Sequence, residues 1–169
     1  NVLMPEEFED VTVITTTYES SIYIDKCLQS VISQTIKPKE IIIVDDNSSD
    51  QKLLKKKIEK FKIDFFPNIK FIVNKENLGP GYSRNLAWSK CTTQFIAFLD
   101  DDDIWYNDKL KVQLDIFKKY KNTQLVACKK KMLNQYSIFN ERNFPNIKKI
   151  SFLKLLFKNY IPTSSVLMK

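Results

Sequence analysis

The chain contains no histidine among its 169 residues. That removes the side chain most often used as a general base near neutral pH, and with it Ser-His triads and His-rich metal sites. Acid–base or metal chemistry must then rest on Asp and Glu. Cysteine is sparse: Cys27, Cys91 and Cys128 are odd in number, lack CxxC spacing and each fall in an apolar pattern. They fit small core residues in a reducing compartment rather than a disulfide framework or a zinc site. No apolar run approaches the roughly 18–20 residues that a membrane-spanning helix needs. Residues 1–10 are acidic and polar, unlike a secretory signal. The first residue is Asn1 rather than Met, so a piece of a longer protein is expected. Glycine is confined to Gly79 and Gly81, both within ENLGPGYSRN. Neither GxGxxG nor a GxxxxGK loop ending in Ser or Thr can be built, so the dinucleotide-binding and P-loop fingerprints are missing.

What is present suits one globular domain. Apolar residues make up 43% and aromatics 12%, enough for a core at this length. The net charge of +7 is unevenly spread. Residues 109–169 hold fourteen Lys and Arg against two acids, a net +12, whereas residues 1–108 carry a net −5. A basic part of this kind suits an anionic membrane surface, an acidic acceptor or nucleic acid, or simply a solvated lysine-rich face.

Strand and helix patterns alternate along the chain. Residues 11–15 (VTVIT) form a β-branched strand pattern. Ser20 or Ser21 is placed to cap a helix whose Ile24, Cys27, Leu28, Val31 and Ile32 share one face. Pro38 marks the turn after it, and residues 41–44 (IIIV) suit a strand buried on both faces. Asp50 or a neighbouring serine would cap a second helix with Leu54, Ile58 and Phe61 inward. Strands follow at 69–73, 95–99 (FIAFL) and 125–128, with helices at 82–90 and from Asn107 or Asp108 onward, the latter presenting Leu110, Leu114 and Phe117. A short helix is expected at 151–157 and a last strand at 164–168. The rhythm predicts an α/β fold with a mainly parallel central sheet flanked by helices. In such a sheet ligands lie beyond the carboxyl ends of the strands.

Those ends carry the candidate chemistry. Four carboxylates, Asp100, Asp101, Asp102 and Asp103, follow FIAFL directly. Like charges so close repel by about 1 kcal/mol per pair in water and by more where water is excluded. A hard cation such as Mg²⁺ or Mn²⁺ relieves that cost, commonly through one or two carboxylates plus substrate phosphates. In an extended segment Asp100 and Asp102 would face one way and Asp101 the other. Asp45 and Asp46 follow IIIV and can accept hydrogen bonds from a ribose or a base, or serve as turn residues. Arg84, just after GPG, can pair with a phosphate. Thr15, Thr16, Thr17 and Tyr18 offer hydroxyls and a ring to a nucleoside.

Taken together, VTVITTTYES, LQSVISQT, IIIVDDNSSD, NLGPGYSRN and FLDDDDIW resemble family-two glycosyltransferases of the glycosyltransferase A-type (Rossmann-like) fold. The resemblance is firm over 11–115, a donor-binding part, and weaker over 116–169, which would begin the acceptor side of a single domain spanning 1–169. It implies Thr16, Tyr18 and Glu19 beside the nucleoside, Asp45 on the base, Arg84 supporting the nucleotide and Asp101 near the ribose. Asp102 would hold Mn²⁺ or Mg²⁺ with help from Asp100, as in the family's DXD motif. Where this chain has Glu19 the family often has Asn. The implied reaction is inverting transfer of a sugar from a nucleotide-diphosphate sugar to a hydroxyl of a carbohydrate or lipid-linked acceptor. The family's base is an Asp beyond a strand resembling PTSSVLMK, so it is expected after Lys169; Asp115 suits a surface position and Glu141 a polar stretch. A cytoplasmic protein, peripheral at the inner face of an anionic membrane, is expected, with no nucleic-acid partner and with a homodimer left open. Two other readings stay open: a nucleotidyltransferase, although TTTYES lacks a Gly-rich basic loop, and a non-catalytic nucleotide-binding module.

Overall fold

The computed structural model describes residues 8–129, 148, 150 and 161–169. Six strands form one sheet: β1 (Phe8–Thr17), β2 (Lys37–Asp45), β3 (Ile69–Val73), β4 (Phe95–Phe98), β5 (Leu125–Ala127) and β6 (Val166–Met168). Among the described residues four α-helices lie between them, α1 (Ile24–Ile32), α2 (Gln51–Asp64), α3 (Pro80–Trp88) and α4 (Lys109–Lys119), and a 3-10 turn (Thr163–Ser165) leads into β6. The strand order is β3-β2-β1-β4-β6-β5. Strands β3, β2, β1 and β4 are parallel, whereas β6 runs antiparallel to both β4 and β5. The sheet is therefore mixed but mainly parallel, as the alternating pattern predicts.

Alternation along the strands divides the core. Val11 and Val13 of β1 and Ile41 and Ile43 of β2 face the cluster filled by α1, α2 and α4. Ile14, Ile42 and Val44 face the smaller cluster with Ala87 of α3, and Leu86 is packed against it. Each fully buried side chain of this kind contributes about 1.5–3 kcal/mol relative to exposure.

Several local expectations are corrected. Pro38 lies inside β2, paired with Glu9, rather than in a turn. Its missing N–H is tolerated near the strand's start, beside a register shift between Glu9 and Thr12. Tyr23, not Ser20 or Ser21, occupies the N-cap of α1. Asp50 and Asp108 do stand at the N-caps of α2 and α4, but neither side chain bonds its helix. Asp50 instead accepts from the Ser21 amide at 2.9 Å. Helix α3 begins earlier than expected, at Pro80, where a missing N–H costs nothing. The helix expected at 151–157 lies outside the described residues.

Gly79 supplies the entry to α3 with φ 83° and ψ 161°, a backbone region open essentially to glycine alone. An added Cβ would meet nothing within 4 Å, so the cost of Gly79→Ala is backbone strain alone. We expect urea titration to show a loss of about 1–3 kcal/mol, with Gly81→Ala, at ordinary φ, costing less.

Candidate functional site

Strand β1 is the first strand of the chain, yet it sits inside the sheet between β2 and β4. The chain leaves β1 toward β2 and leaves β4 toward β5 on the other side, so the carboxyl ends of β1 and β4 form the switch point at which such sheets bind ligands. Backbone bonds fix the level of the neighbouring ends: Asp46 N–H donates to Thr17 O at 2.9 Å and Leu99 N–H to Ile14 O at 2.9 Å. The Thr-Tyr segment, the Asp-Asp pair and the four-Asp run thus meet at one edge.

The four-Asp run is a turn, closed by Asp103 N–H donating to Asp100 O at 3.1 Å. This corrects the expected extended segment: Asp101 and Asp102 occupy its corners. Each carboxylate has a different environment. Asp100 accepts from Arg84 Nη2 at 2.8 Å, and its amide donates to Ser164 Oγ at 2.9 Å. Asp101 accepts from the Ser20 hydroxyl. Burial pushes the Asp101 carboxyl up to about 6, with the charges of Asp102 and Asp100 adding to the shift and the Ser20 and Tyr18 donors opposing it. Asp102 is exposed and forms no hydrogen bond or ion pair with another described residue.

Behind the turn, Trp105 is buried and its indole N–H donates to Ser164 O at 2.7 Å. The Cys27 thiol lies 3.7 Å from Asp100 O, and burial pushes its pKa upward. The Asp turn is therefore held at once from the 3-10 turn Thr163–Ser165 that leads into β6, from α1 and from α3.

Asp45, the last residue of β2, and Asp46 after it are both tied into the fold by hydrogen bonds. Asp45 is fully buried; it accepts from Thr17 Oγ1 at 3.0 Å, from the Ser48 amide at 3.1 Å and from the Ser48 hydroxyl. Gln51 Nε2 adds a longer contact of 3.4 Å. Asp46 accepts from Asn74 Nδ2 at 2.6 Å, Leu78 N–H at 3.0 Å, Gly79 N–H at 2.7 Å and the Ser83 hydroxyl at 3.1 Å. Burial alone would raise its pKa; these donors outweigh burial and hold the carboxyl below its ordinary value. Sequence reading missed this role for Asp46. Its signal was the doubled Asp after a buried strand, ahead of a chain that returns through Asn74.

Glu19 has a left-handed backbone, φ 52°. Its carboxylate binds the Ser49 amide at 2.6 Å and the Ser49 hydroxyl at 2.7 Å, clamping the loop after β1 to the start of α2. Thr16 is nearly buried at the end of β1, while Tyr18 is 52% exposed and free to present its ring. Asp115 lies on the exposed side of α4, paired with Lys111 at 3.3 Å. Glu141 lies outside the described residues.

Among the described residues no group of three or more His, Cys, Asp or Glu side chains is preassembled around a metal position. The donor chemistry nevertheless fits Mg²⁺ or Mn²⁺. Those ions accept one or two carboxylates and complete their shell with water and phosphate oxygens. Asp102 offers an open carboxylate, and Asp100 keeps the oxygen that Arg84 does not bind.

Comparison with known proteins gives the family. The family model described as glycosyl transferase family 2 matches residues 12–167. The chain belongs to glycosyl transferase family 2. The family 2 chain is 32% identical over 148 residues to the Escherichia coli UDP-Glc:alpha-D-GlcNAc-diphosphoundecaprenol beta-1,3-glucosyltransferase WfgD, covering 86% of this chain and 54% of that protein. It thus spans about half the length of that relative. Among solved structures, S. aureus TarS 1–349 in complex with UDP-GlcNAc is similar, with a TM-score of 0.66 and 30% identity over 76% of this chain and 36% of that one. The mannosyltransferase PcManGT of Pyrobaculum calidifontis, in complex with GDP-Man and Mn²⁺, has a TM-score of 0.62 at 21% identity, covering 72% and 36%. That last likeness is one of fold, and the fold of the family 2 chain is glycosyltransferase A-type.

Proposed function

We propose that this chain is the donor-binding part of an inverting, metal-dependent glycosyltransferase that takes a nucleotide-diphosphate sugar. One observation carries the reading: the exposed carboxylate of Asp102 and the exposed ring of Tyr18 follow the carboxyl ends of two adjacent parallel strands, β4 and β1, at one edge of the sheet. The nucleoside would lie along Thr16, Tyr18 and the Glu19 clamp, with Asp101 at the ribose. Asp45 would reach the base if its long Gln51 contact gave way. Arg84 holds Asp100 and so sets where the diphosphate's charge is met. A divalent cation at Asp102 and Asp100 would neutralise that diphosphate as it leaves. TarS with UDP-GlcNAc supports a uridine nucleotide, and WfgD supports a lipid-linked acceptor. Donor contacts would be concentrated in residues 11–115, with 116–169 opening the acceptor side. A cytoplasmic protein, peripheral at the inner face of an anionic membrane and able to form a homodimer, completes the proposal. Among the described residues no helix is long and apolar enough to cross a membrane.

Titration calorimetry with UDP, with and without Mn²⁺, tests the reading. Binding should appear only with the ion. Equal affinity without metal would favour a plain nucleotide-binding module, and no binding in either case would remove the donor assignment.

A further inference from the structure

We infer that helix α2 is a docking surface for an anionic lipid bilayer. The inference rests on the proposed peripheral, lipid-linked role but locates it on a specific face. Helix α2 carries six lysines against Glu59 and Asp64. Leu54, Ile58 and Phe61 are its buried stripe. Lys52, Lys56, Lys60 and Ile63 follow one another at spacings of four, four and three, which places them on the opposite face.

Exposed apolar residues accompany these charges. Ile63, in the last turn, is 81% exposed on the outward face, and Leu53, in the first turn, is 49% exposed. Phe65, one residue past the helix, is 57% exposed and leans on Phe61 with ring centroids 5.2 Å apart. Lys57 binds the Ser21 carbonyl at 2.7 Å and so draws the turn bearing the exposed Ile22 and Tyr23 against the helix.

A soluble helix presenting lysines alone needs no partner. Lysines ringing exposed Ile, Leu and Phe match the two layers of an anionic bilayer surface, headgroup charge outside and acyl chains beneath. A groove of about 880 Å³ opens beside the helix, lined by Lys26, Lys57, Lys60, Phe61, Phe65 and Ile104. Asp25 and Asp64 also line it, Asp25 being neutralised by Lys57 at 2.6 Å. Ile104 and Trp105, the two residues after the Asp turn, also line this groove. Residues 109–169, the more basic part of the sequence, stay open between a membrane surface, an acidic acceptor, nucleic acid and a solvated face; their first lysine, Lys109, is buried.

Co-sedimentation with phosphatidylglycerol–phosphatidylcholine vesicles, against phosphatidylcholine alone, tests the surface. The chain should bind the anionic vesicles and release in high salt. Lys52→Glu, Lys56→Glu and Lys60→Glu together should lower partitioning at least about tenfold. Leu53→Ser with Ile63→Ser should lower it several-fold, while leaving UDP binding and thermal melting unchanged. A charge-matched variant elsewhere, with Lys75, Lys90 and Lys121 changed to Glu, should retain most binding. Equal loss in that control would make net charge the cause and overturn the α2 assignment. Vesicle binding unchanged in the Leu53–Ser, Ile63–Ser variant but fully competed by polyphosphate would overturn it in favour of a soluble polyanion. No vesicle binding alongside intact UDP binding defeats the docking surface alone; the converse defeats only the donor reading.

Discussion

Replacing Asp102 with Asn should reduce Mn²⁺-dependent UDP binding to the level seen without metal. Asp102 is the carboxylate of the turn whose charge is least committed. Asp100 is paired with Arg84, and Asp101 is held by Ser20 with its pKa raised to about 6. Asn keeps the size and one oxygen but removes the charge that offsets ion dehydration. Disturbing even the outer partners of a metal site costs about 10–100-fold in affinity, so loss of a direct ligand should cost at least that much. The exposed position means that folding is spared. Removal of one like charge beside Asp101 should leave thermal stability unchanged or slightly raised. Calorimetry reads the affinity and scanning calorimetry the melting; undiminished metal-dependent affinity in the variant would remove Asp102 from the metal site.

The second large effect concerns Lys109. Its ammonium lies 3.9 Å from the centroid of the Trp105 ring and donates to Gln113 Oε1 at 2.7 Å. Burial pushes its pKa down to about 7, with Cys128 opposing the shift. An unfolded lysine titrates near ~10.4. Between those values the unfolded chain binds more protons than the folded one, so unfolding free energy rises with pH. Below about 7 the penalty is fully present. Above about 8.5 the buried Cys27 thiol, whose pKa burial raises, acts in the opposite sense. The clean window is therefore about 7 to 8.5, over which Lys109 should add on the order of 2 kcal/mol. Urea midpoints at the two ends of that window read the slope. Lys109→Met, which can keep contact with Trp105, should flatten it and stabilise the protein at its lower end. A slope retained in the variant would assign the effect elsewhere.

The parts of the fold set by unbroken local patterns were legible. Strand β3 occupies the residues that IKFIV marks out, and the inward stripes of α1, α2 and α4 are those given by helical spacing. The caps were legible in part: Asp50 and Asp108 stand at the expected N-cap positions, but Ser20 and Ser21 do not cap α1, because the Ser20 hydroxyl is spent on Asp101 and the Ser21 amide on Asp50. The position of the Asp run could be read from the apolar strand before it, but not its turn, which depends on Arg84 and Ser164. Nor could Lys109 be recognised as buried. A lysine at a helix start normally marks solvent, and only the placement of Trp105 and Gln113 around it shows otherwise.

The bond from the Asp100 amide to Ser164 joins residues 64 apart, and Trp105 reaches the same serine. Gln113 does likewise, donating to Ser165 O at 2.8 Å and to Val126 O at 3.0 Å. The donor-side half is consequently not separable at residue 115. A chain cut there would leave the Asp100 amide, the Trp105 indole and the Gln113 amide without acceptors, and β4 with a bare edge where β6 had been. The candidate site motifs all precede the cut, but the scaffold that aims them is completed only by residues 163–168.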